Sequence, residues 1–387
     1  MKKSFKDVFS DVVITILRPF INFLMKREIT VVATGDVIEK DREPFILISN
    51  HFGTWDSFII MKNIKKHIRF VATEIAYLDL PKKIGMGILA RTIRKRVGKS
   101  DYVATKKIFE FLNLGYSIGI FPEGDNTFSG KTLNIYKNTG KLIKKAGVDV
   151  VLCKQQGGYI SQPRWADYFS KKGVVHTHTS TLITKEELEK MTPLQINKRI
   201  KEALANNDYD FQREHMFNME REKRAEGIER LVYYCNKCQS VLTVFGRDHD
   251  MFCSKCGKIG TINEFEFIEG NKYDNLVDYN KYQYSKIEDV INSEFMFVVM
   301  LNEVNTEKLV NKKIGRHRLH YKDKTLTLSG KKSIYKFEIE KMQFPVNTMR
   351  HSFSFDYEGL TYNFTDIRHQ FVLYEMCRYI NGSYKKK

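Results

Sequence analysis

At 387 residues the chain is too long for one ordinary domain and can hold two or three, each with its own core. Lys and Arg number 64 against 46 Asp and Glu, a formal charge of +18 that argues against a cationic partner and for a polyanion: phosphate groups, an anionic membrane or nucleic acid. The surplus is uneven, since Lys62 to Lys107 carries thirteen Lys or Arg against Glu74, Asp79 and Asp101.

Residues 1–29 place Val8, Phe9, Val12, Val13, Ile16, Leu17, Phe20, Phe23 and Leu24 at helical spacing, with Lys2, Lys3, Lys6, Arg18 and Lys26 supplying charge. A spanning helix needs about 20 largely uncharged residues, and Arg18-Pro19 interrupts this run. The segment is expected to be an amphipathic, membrane-associating helix, with packing on the protein itself as the open alternative. No small-residue cleavage site follows, so no secretory signal is expected. No other segment is apolar enough to span a membrane.

From Thr30 to about Ile183, short apolar runs alternate with helical stretches. Phe45–Ser49, Ile68–Ala72, Ser117–Phe121 and Val148–Cys153 are expected strands, and Tyr102–Leu114 and Gly140–Ala146 expected helices. The pattern predicts an α/β sheet with flanking helices. The first strand runs into Asn50-His51-Phe52-Gly53-Thr54-Trp55-Asp56. On a regular helix five positions rotate by about 500°, leaving His51 and Asp56 roughly 140° apart. A turn between strand and helix can instead bring the carboxylate back to the imidazole. Asp56 would then fix the ring tautomer, and the other ring nitrogen could take a proton from a hydroxyl. A second strand stops at Phe121-Pro122-Glu123-Gly124, where Pro122 ends the ladder and Gly124 permits close backbone approach.

Together, these two turns and the basic stretch between them resemble the motifs of the glycerolipid acyltransferase family, whose best-known members acylate lysophosphatidic acid to phosphatidic acid. Asn50-His51 through Asp56 is similar to that family's first motif and Phe121-Pro122-Glu123-Gly124 to its third. The resemblance, over roughly residues 30–185, implies an acyltransferase of the 1-acylglycerol-3-phosphate O-acyltransferase type. His51 and Asp56 would be catalytic; Arg96, Arg94, Phe121, Pro122, Glu123 and Gly124 would bind substrate, Arg96 or its neighbours meeting the acceptor phosphate. The acyl donor would be acyl-CoA or acyl carrier protein and the acceptor a lysophospholipid. Neither motif holds a Ser or Cys nucleophile, so direct transfer is expected, with amides near Gly124 as oxyanion donors. Two departures leave the acceptor open: Asp125-Asn126 stands where the family continues with Thr and Arg, and Val150-Val151-Leu152 lacks the Pro of the last motif.

The acyltransferase domain is expected over 30–205, closing on a helix that Thr192-Pro193-Leu194-Gln195 starts with a capping box and a first-position Pro; its face reads as polar. Residues 206–230 are charged and read as a linker. Within 231–270, Cys235-Asn236-Lys237-Cys238 and Cys253-Ser254-Lys255-Cys256 form two Cys-x-x-Cys knuckles fourteen residues apart. Four thiolates complete a zinc ion's coordination, so a structural zinc ribbon is expected. Tyr233, Tyr234, Lys237, Phe245, Arg247, Lys255 and Lys258 could be a nucleic-acid surface or a ribbon's own core and rim. Residues 271–387 return to period-two alternation with hairpin turns at Lys322-Asp323-Lys324 and Tyr357-Glu358-Gly359, then a helix from Asp366 to Ile380. This predicts an antiparallel β domain closed by a helix, similar to the pleckstrin-homology pattern. The expected enzyme is cytoplasmic and peripheral on the inner face of the cell membrane, with an anionic membrane surface as partner. A nucleic-acid-binding zinc-ribbon protein and a catalytically inactive lipid-binding scaffold rank behind it.

Overall fold

The computed structural model describes residues 3–78, 83–95, 101–348 and 350–382. The chain forms two compact units: Met1–Pro163 with Ser170–Glu220, and Arg164–Phe169 with Arg221–Lys387.

The first unit is an α/β structure. Its strands are β1 (Ile29–Gly35), β2 (Ile46–Ser49), β3 (Ile68–Thr73), β4 (Ile93–Lys95), β5 (Ser117–Ile120), β6 (Val150–Gln156) and β7 (Gly173–Ile183). They stand in the order β1-β7-β6-β2-β5-β3-β4. All pairs are parallel except β6 with β7. β2 lies in the middle and is buried at every position, with Ile46 and Ile48 in one core cluster and Leu47 in another. Helices α1 (Phe5–Met25), α2 (Asp56–Ile60), α3 (Tyr102–Asn113), α4 (Thr139–Ala146), α5 (Gly158–Ser161), α6 (Lys185–Lys190), α7 (Pro193–Leu204) and α8 (Asp208–His215) surround the sheet. Ile108, Phe111 and Leu112 of α3, Ile143 of α4, and Ile196, Ile200 and Leu204 of α7 pack on the face holding Ile46 and Ile48.

Two expectations need correction. The helix after Thr192 does not present a polar face to the sheet: Ile196, Ile200 and Leu204, spaced by four, are all fully buried. Residues 206–230 are not an open linker. Asp208, Tyr209, Phe211 and Gln212 of α8 are buried, as are the charged Arg221, Glu229 and Arg230, and the boundary between the units falls inside this span, at Glu220 and Arg221.

Helix α1 is built inside out. It opens with a capping box between Ser4 and Asp7, and it docks through polar groups. Asp7 accepts hydrogen bonds from Arg91 at 2.7 and 3.0 Å. Asp11 accepts from Arg69 at 2.6 Å and from the Tyr116 hydroxyl at 2.7 Å. Ser10 Oγ donates to the Leu89 carbonyl at 2.5 Å. Arg69, only 1% exposed, also donates to Ser10 Oγ and to the carbonyls of Asp7 and Ala90. Phe5, Phe9, Val12, Ile16, Phe20 and Phe23 form a stripe that points away from the unit, with Phe5 83% and Ile16 68% exposed. A surface helix ordinarily buries its apolar stripe; here the buried side is the ionic one.

The second unit is β-rich. A four-stranded antiparallel sheet of β8 (Val244–Arg247), β9 (Asp250–Cys253), β10 (Gly257–Ile262) and β11 (Ile268–Glu269) carries the cysteine knuckles. Helices α9 (Leu276–Ser285) and α10 (Ile287–Ile291) lead to a seven-stranded antiparallel sheet: β12 (Phe295–Asn305), β13 (Val310–Lys322), β14 (Thr325–Ser329), β15 (Ile334–Glu338), β16 (Gln343–Thr348), β17 (Ser352–Tyr357) and β18 (Leu360–Thr365). β12 pairs with both β13 and β18, which joins the two hairpin series in the order β15-β14-β13-β12-β18-β17-β16. Both expected hairpins turn on two residues of positive φ, Asp323 and Lys324 at 47° and 57° and Glu358 and Gly359 at 49° and 83°. Helix α11 (Gln370–Ile380) closes the chain with Phe371, Val372, Leu373, Met376 and Cys377 buried.

Candidate active site

Register places the two motif turns side by side. β2 and β5 are adjacent parallel strands with Ile48 opposite Ile120, so His51 and Glu123 each follow three residues past a matched pair. β6 flanks β2 on its other side, with Ser49 opposite Cys153. Three loops therefore leave the carboxyl edge together, where open α/β sheets place their chemistry.

The first turn closes on itself. Asp56 starts α2, is fully buried, and accepts from three donors: the His51 imidazole Nδ1–H at 2.5 Å, the Phe52 amide at 2.8 Å and the Gly53 amide at 3.1 Å. Burial raises its carboxyl, opposed by the imidazole and the two amides. Three donors converging on two oxygens require an acceptor, so His51 carries its proton on Nδ1 and leaves Nε2 with a lone pair. Among the described residues Nε2 has no hydrogen-bond partner, and the ring stacks on Phe121 with centroids 4.2 Å apart.

Glu123 fastens the second turn to the first. It accepts the His51 amide at 3.0 Å and the Leu133 amide at 2.5 Å, and burial pushes its carboxyl up to about 8. Thr127 returns the contact by donating its amide to the His51 carbonyl at 2.9 Å. The Gly124 amide donates to the Phe121 carbonyl at 3.0 Å, so it is engaged in the turn and not offered to an oxyanion. Gly124 itself has φ +73° and lies against the Tyr136 ring, 2.1 Å from where a Cβ would stand; only glycine fits. Pro122 is buried beneath the turn. Arg94 is exposed on the edge strand β4, and Arg96 lies outside the described residues.

The third loop holds residues without an assignment from sequence. Asn50 pairs with the backbone of Gln155 as both donor and acceptor at 2.8 Å, and the Gln155 carboxamide donates to Ser49 Oγ and to the Asn50 carbonyl. A small cleft beside the imidazole is lined by Asn50, Phe52, Glu123, Thr127, Asn206 and Asp208 among others. Burial pushes the Asp208 carboxyl up to about 6. Its position in a charged run gave no sign of this placement.

A His-Asp pair of this geometry at the mouths of the central strands has the chemistry to accept a proton from a hydroxyl. Residues 29–153 match the model of the family described as Acyltransferase. The matched segment, about a third of the chain, holds both motif turns and is similar to an acyltransferase domain. Among solved structures it is similar to the 1-acyl-sn-glycerophosphate (LPA) acyltransferase PlsC from Thermotoga maritima, at 21% identity over 53% of this chain and 80% of that one, with a TM-score of 0.43. Nothing among curated protein sequences matches the chain.

The four knuckle cysteines form a separate centre. Their sulfur atoms all lie within 4.8 Å of one another, with Cys235 to Cys256 and Cys238 to Cys253 both at 3.6 Å. Tetrahedral zinc with bonds of about 2.3 Å needs sulfurs roughly 3.8 Å apart, so the set fits a metal ion and none of the four is in a disulfide. The Lys255 amide donates to Cys253 Sγ at 3.4 Å, and the Thr243 hydroxyl lies 3.2 Å from the same sulfur; contacts of this kind favour thiolates. Tyr233 and Tyr234, expected as a possible stacking surface, are each 1% exposed and belong to the core.

Proposed function

We propose that this protein transfers a fatty acyl group from acyl-CoA or acyl carrier protein to a hydroxyl of a lysophospholipid, with lysophosphatidic acid to phosphatidic acid as the first reaction to test. The reading rests on one observation above all: His51 Nε2 has no hydrogen-bond partner among the described residues, while Nδ1 is tied to buried Asp56. Nε2 removes the acceptor proton as the oxygen attacks the thioester carbonyl. The tetrahedral adduct collapses by breaking the carbon–sulfur bond, and the departing thiolate takes the proton back from Nε2–H. Glu123 holds the turn and Phe121 the ring, while Arg94 and Arg96 are assigned to the acceptor phosphate, where a guanidinium can pair in bidentate fashion. Cys235, Cys238, Cys253 and Cys256 are assigned a structural zinc, which would supply folding energy to the ribbon and no open position for chemistry.

The exposed stripe of α1 supports action at a membrane surface, which we assign to an anionic cytoplasmic face. Phe20 and Phe23 are 59% and 60% exposed and gain by burial in the acyl boundary. Replacing Ile16 and Phe20 by Ser removes about 3–6 kcal/mol of apolar transfer energy. Sedimentation with anionic vesicles should weaken by at least a hundredfold, with the melting temperature unchanged; equal binding by variant and parent would end the membrane role of this helix.

Purified full-length protein, offered lysophosphatidic acid with acyl-CoA and then with acyl carrier protein, should form a diacyl product with one of the two donors. If a panel of lysophospholipids and glycerol phosphate stays unmodified with both, the reading fails.

A further inference from the structure

We propose that Asp208, beyond the segment matched by the family model, is a positioning residue that sets the orientation of the His51–Asp56 pair. Asp208 is 2% exposed, and no Lys or Arg among the described residues forms an ion pair with it. Its carboxylate is met by polar hydrogens instead. Oδ1 accepts the Gly157 amide at 3.0 Å and the Asn206 carboxamide at 2.6 Å, and Oδ2 accepts the Tyr159 amide at 2.7 Å.

Those bonds fix the turn 157–159, and that turn is the seat of Phe52. A Cβ on Gly158 would lie 2.2 Å from the Phe52 ring, so ring and backbone are in direct contact there. Phe52 is buried, and its amide is one of the three donors to Asp56. A shift of the turn therefore moves Phe52, then the Asp56 carboxylate, then Nδ1 of His51. A second route runs through the backbone. The Asp208 amide donates to the Gly130 carbonyl at 2.9 Å, the Gly130 amide to Thr127 Oγ at 3.0 Å, and the Thr127 amide to the His51 carbonyl at 2.9 Å. Asp208 thus clamps both loops that hold the catalytic turn. An asparagine cannot replace it, because its NH2 group would face an amide hydrogen at one of the two oxygen sites.

The proposal rests on His51 acting as the base, and its test separates the two. Asp208→Asn should lower kcat about tenfold to a hundredfold, as a displacement of a catalytic group below 1 Å does, while the KM for the acyl donor stays within about twofold. In substrate-free protein labelled with 15N-histidine, the His51 ring signals should shift away from the Nδ1–H form. Phe52→Leu, which leaves Asp208 in place, should reproduce both changes. A fall in melting temperature with kcat and the His51 signals unchanged would overturn the proposal, and so would an unchanged His51 spectrum in Phe52→Leu if Asp208→Asn failed to fold. The spectrum is read without substrate, so a parent protein inactive on every lysophospholipid would remove the acyl-transfer reading and still leave the positioning claim decided.

Discussion

His51→Ala should lose acyl transfer by about a hundredfold to ten-thousandfold in kcat, the range a positioned general base supplies, with little change in melting temperature because the ring is partly exposed. Its side chain is 25% accessible and leans on Phe121, so truncation opens no buried cavity. Asp56→Asn should cost nearly as much by a different route. The carboxamide keeps the volume but cannot accept from the imidazole, the Phe52 amide and the Gly53 amide together. Its NH2 group would favour the tautomer with the proton on Nε2, the wrong one for accepting from a hydroxyl. Steady-state rates with saturating donor decide the matter: activity within tenfold of the parent in His51→Ala would remove His51 as the base.

Withdrawal of metal should have the largest effect on stability. Within residues 231–270 the buried apolar side chains are Leu231, Val232, Tyr233, Tyr234, Val244, Met251, Ile259, Ile262 and Ile268, a small core for a segment of this length. Metal binding supplies about 10–16 kcal/mol in comparable finger peptides. The purified chain should hold one zinc per molecule by elemental analysis. A chelator, or Cys253→Ser, should abolish hydrogen-exchange protection across Asp250–Ile262. Retained protection without metal would show that the four sulfurs do not organise the ribbon through an ion. The chemistry proposed for His51 draws on none of these sulfurs.

The central strands were legible in the chain because each is a short apolar run ended by a turn residue, and parallel pairing buries both of its faces. β7 was not, since His176-Thr177-His178-Thr179-Ser180-Thr181 alternates polar types and has no apolar run to mark it. The His-Asp turn could be read because both partners lie within six residues. Gln155 and Asp208 could not: their partners are Asn50 and Gly157, distant in sequence, and only the sheet order brings them to one edge. The apolar period of α1 was equally plain, but periodicity cannot say which side of a helix is docked. That answer lay in Arg69, whose acceptors are distributed along the helix.

Arg69 and Phe70 are consecutive in β3 and therefore point to opposite faces of the sheet. On one side the guanidinium takes Asp11, Ser10 and the Asp7 carbonyl from α1. On the other, Phe70 stacks on Phe121 at 5.9 Å, and Phe121 stacks on His51. A shortened chain beginning after residue 25 would therefore not be a water-soluble edition of the enzyme. It would take from Arg69 its acceptors on α1 and leave it the Ala90 carbonyl and the Tyr116 ring, a loss of about 3–5 kcal/mol for a broken buried pair, one residue from the aromatic stack beneath His51. The greasy outer stripe and the His51 imidazole are bound into a single folding decision, and solubility is better sought by recolouring the stripe than by cutting the helix away.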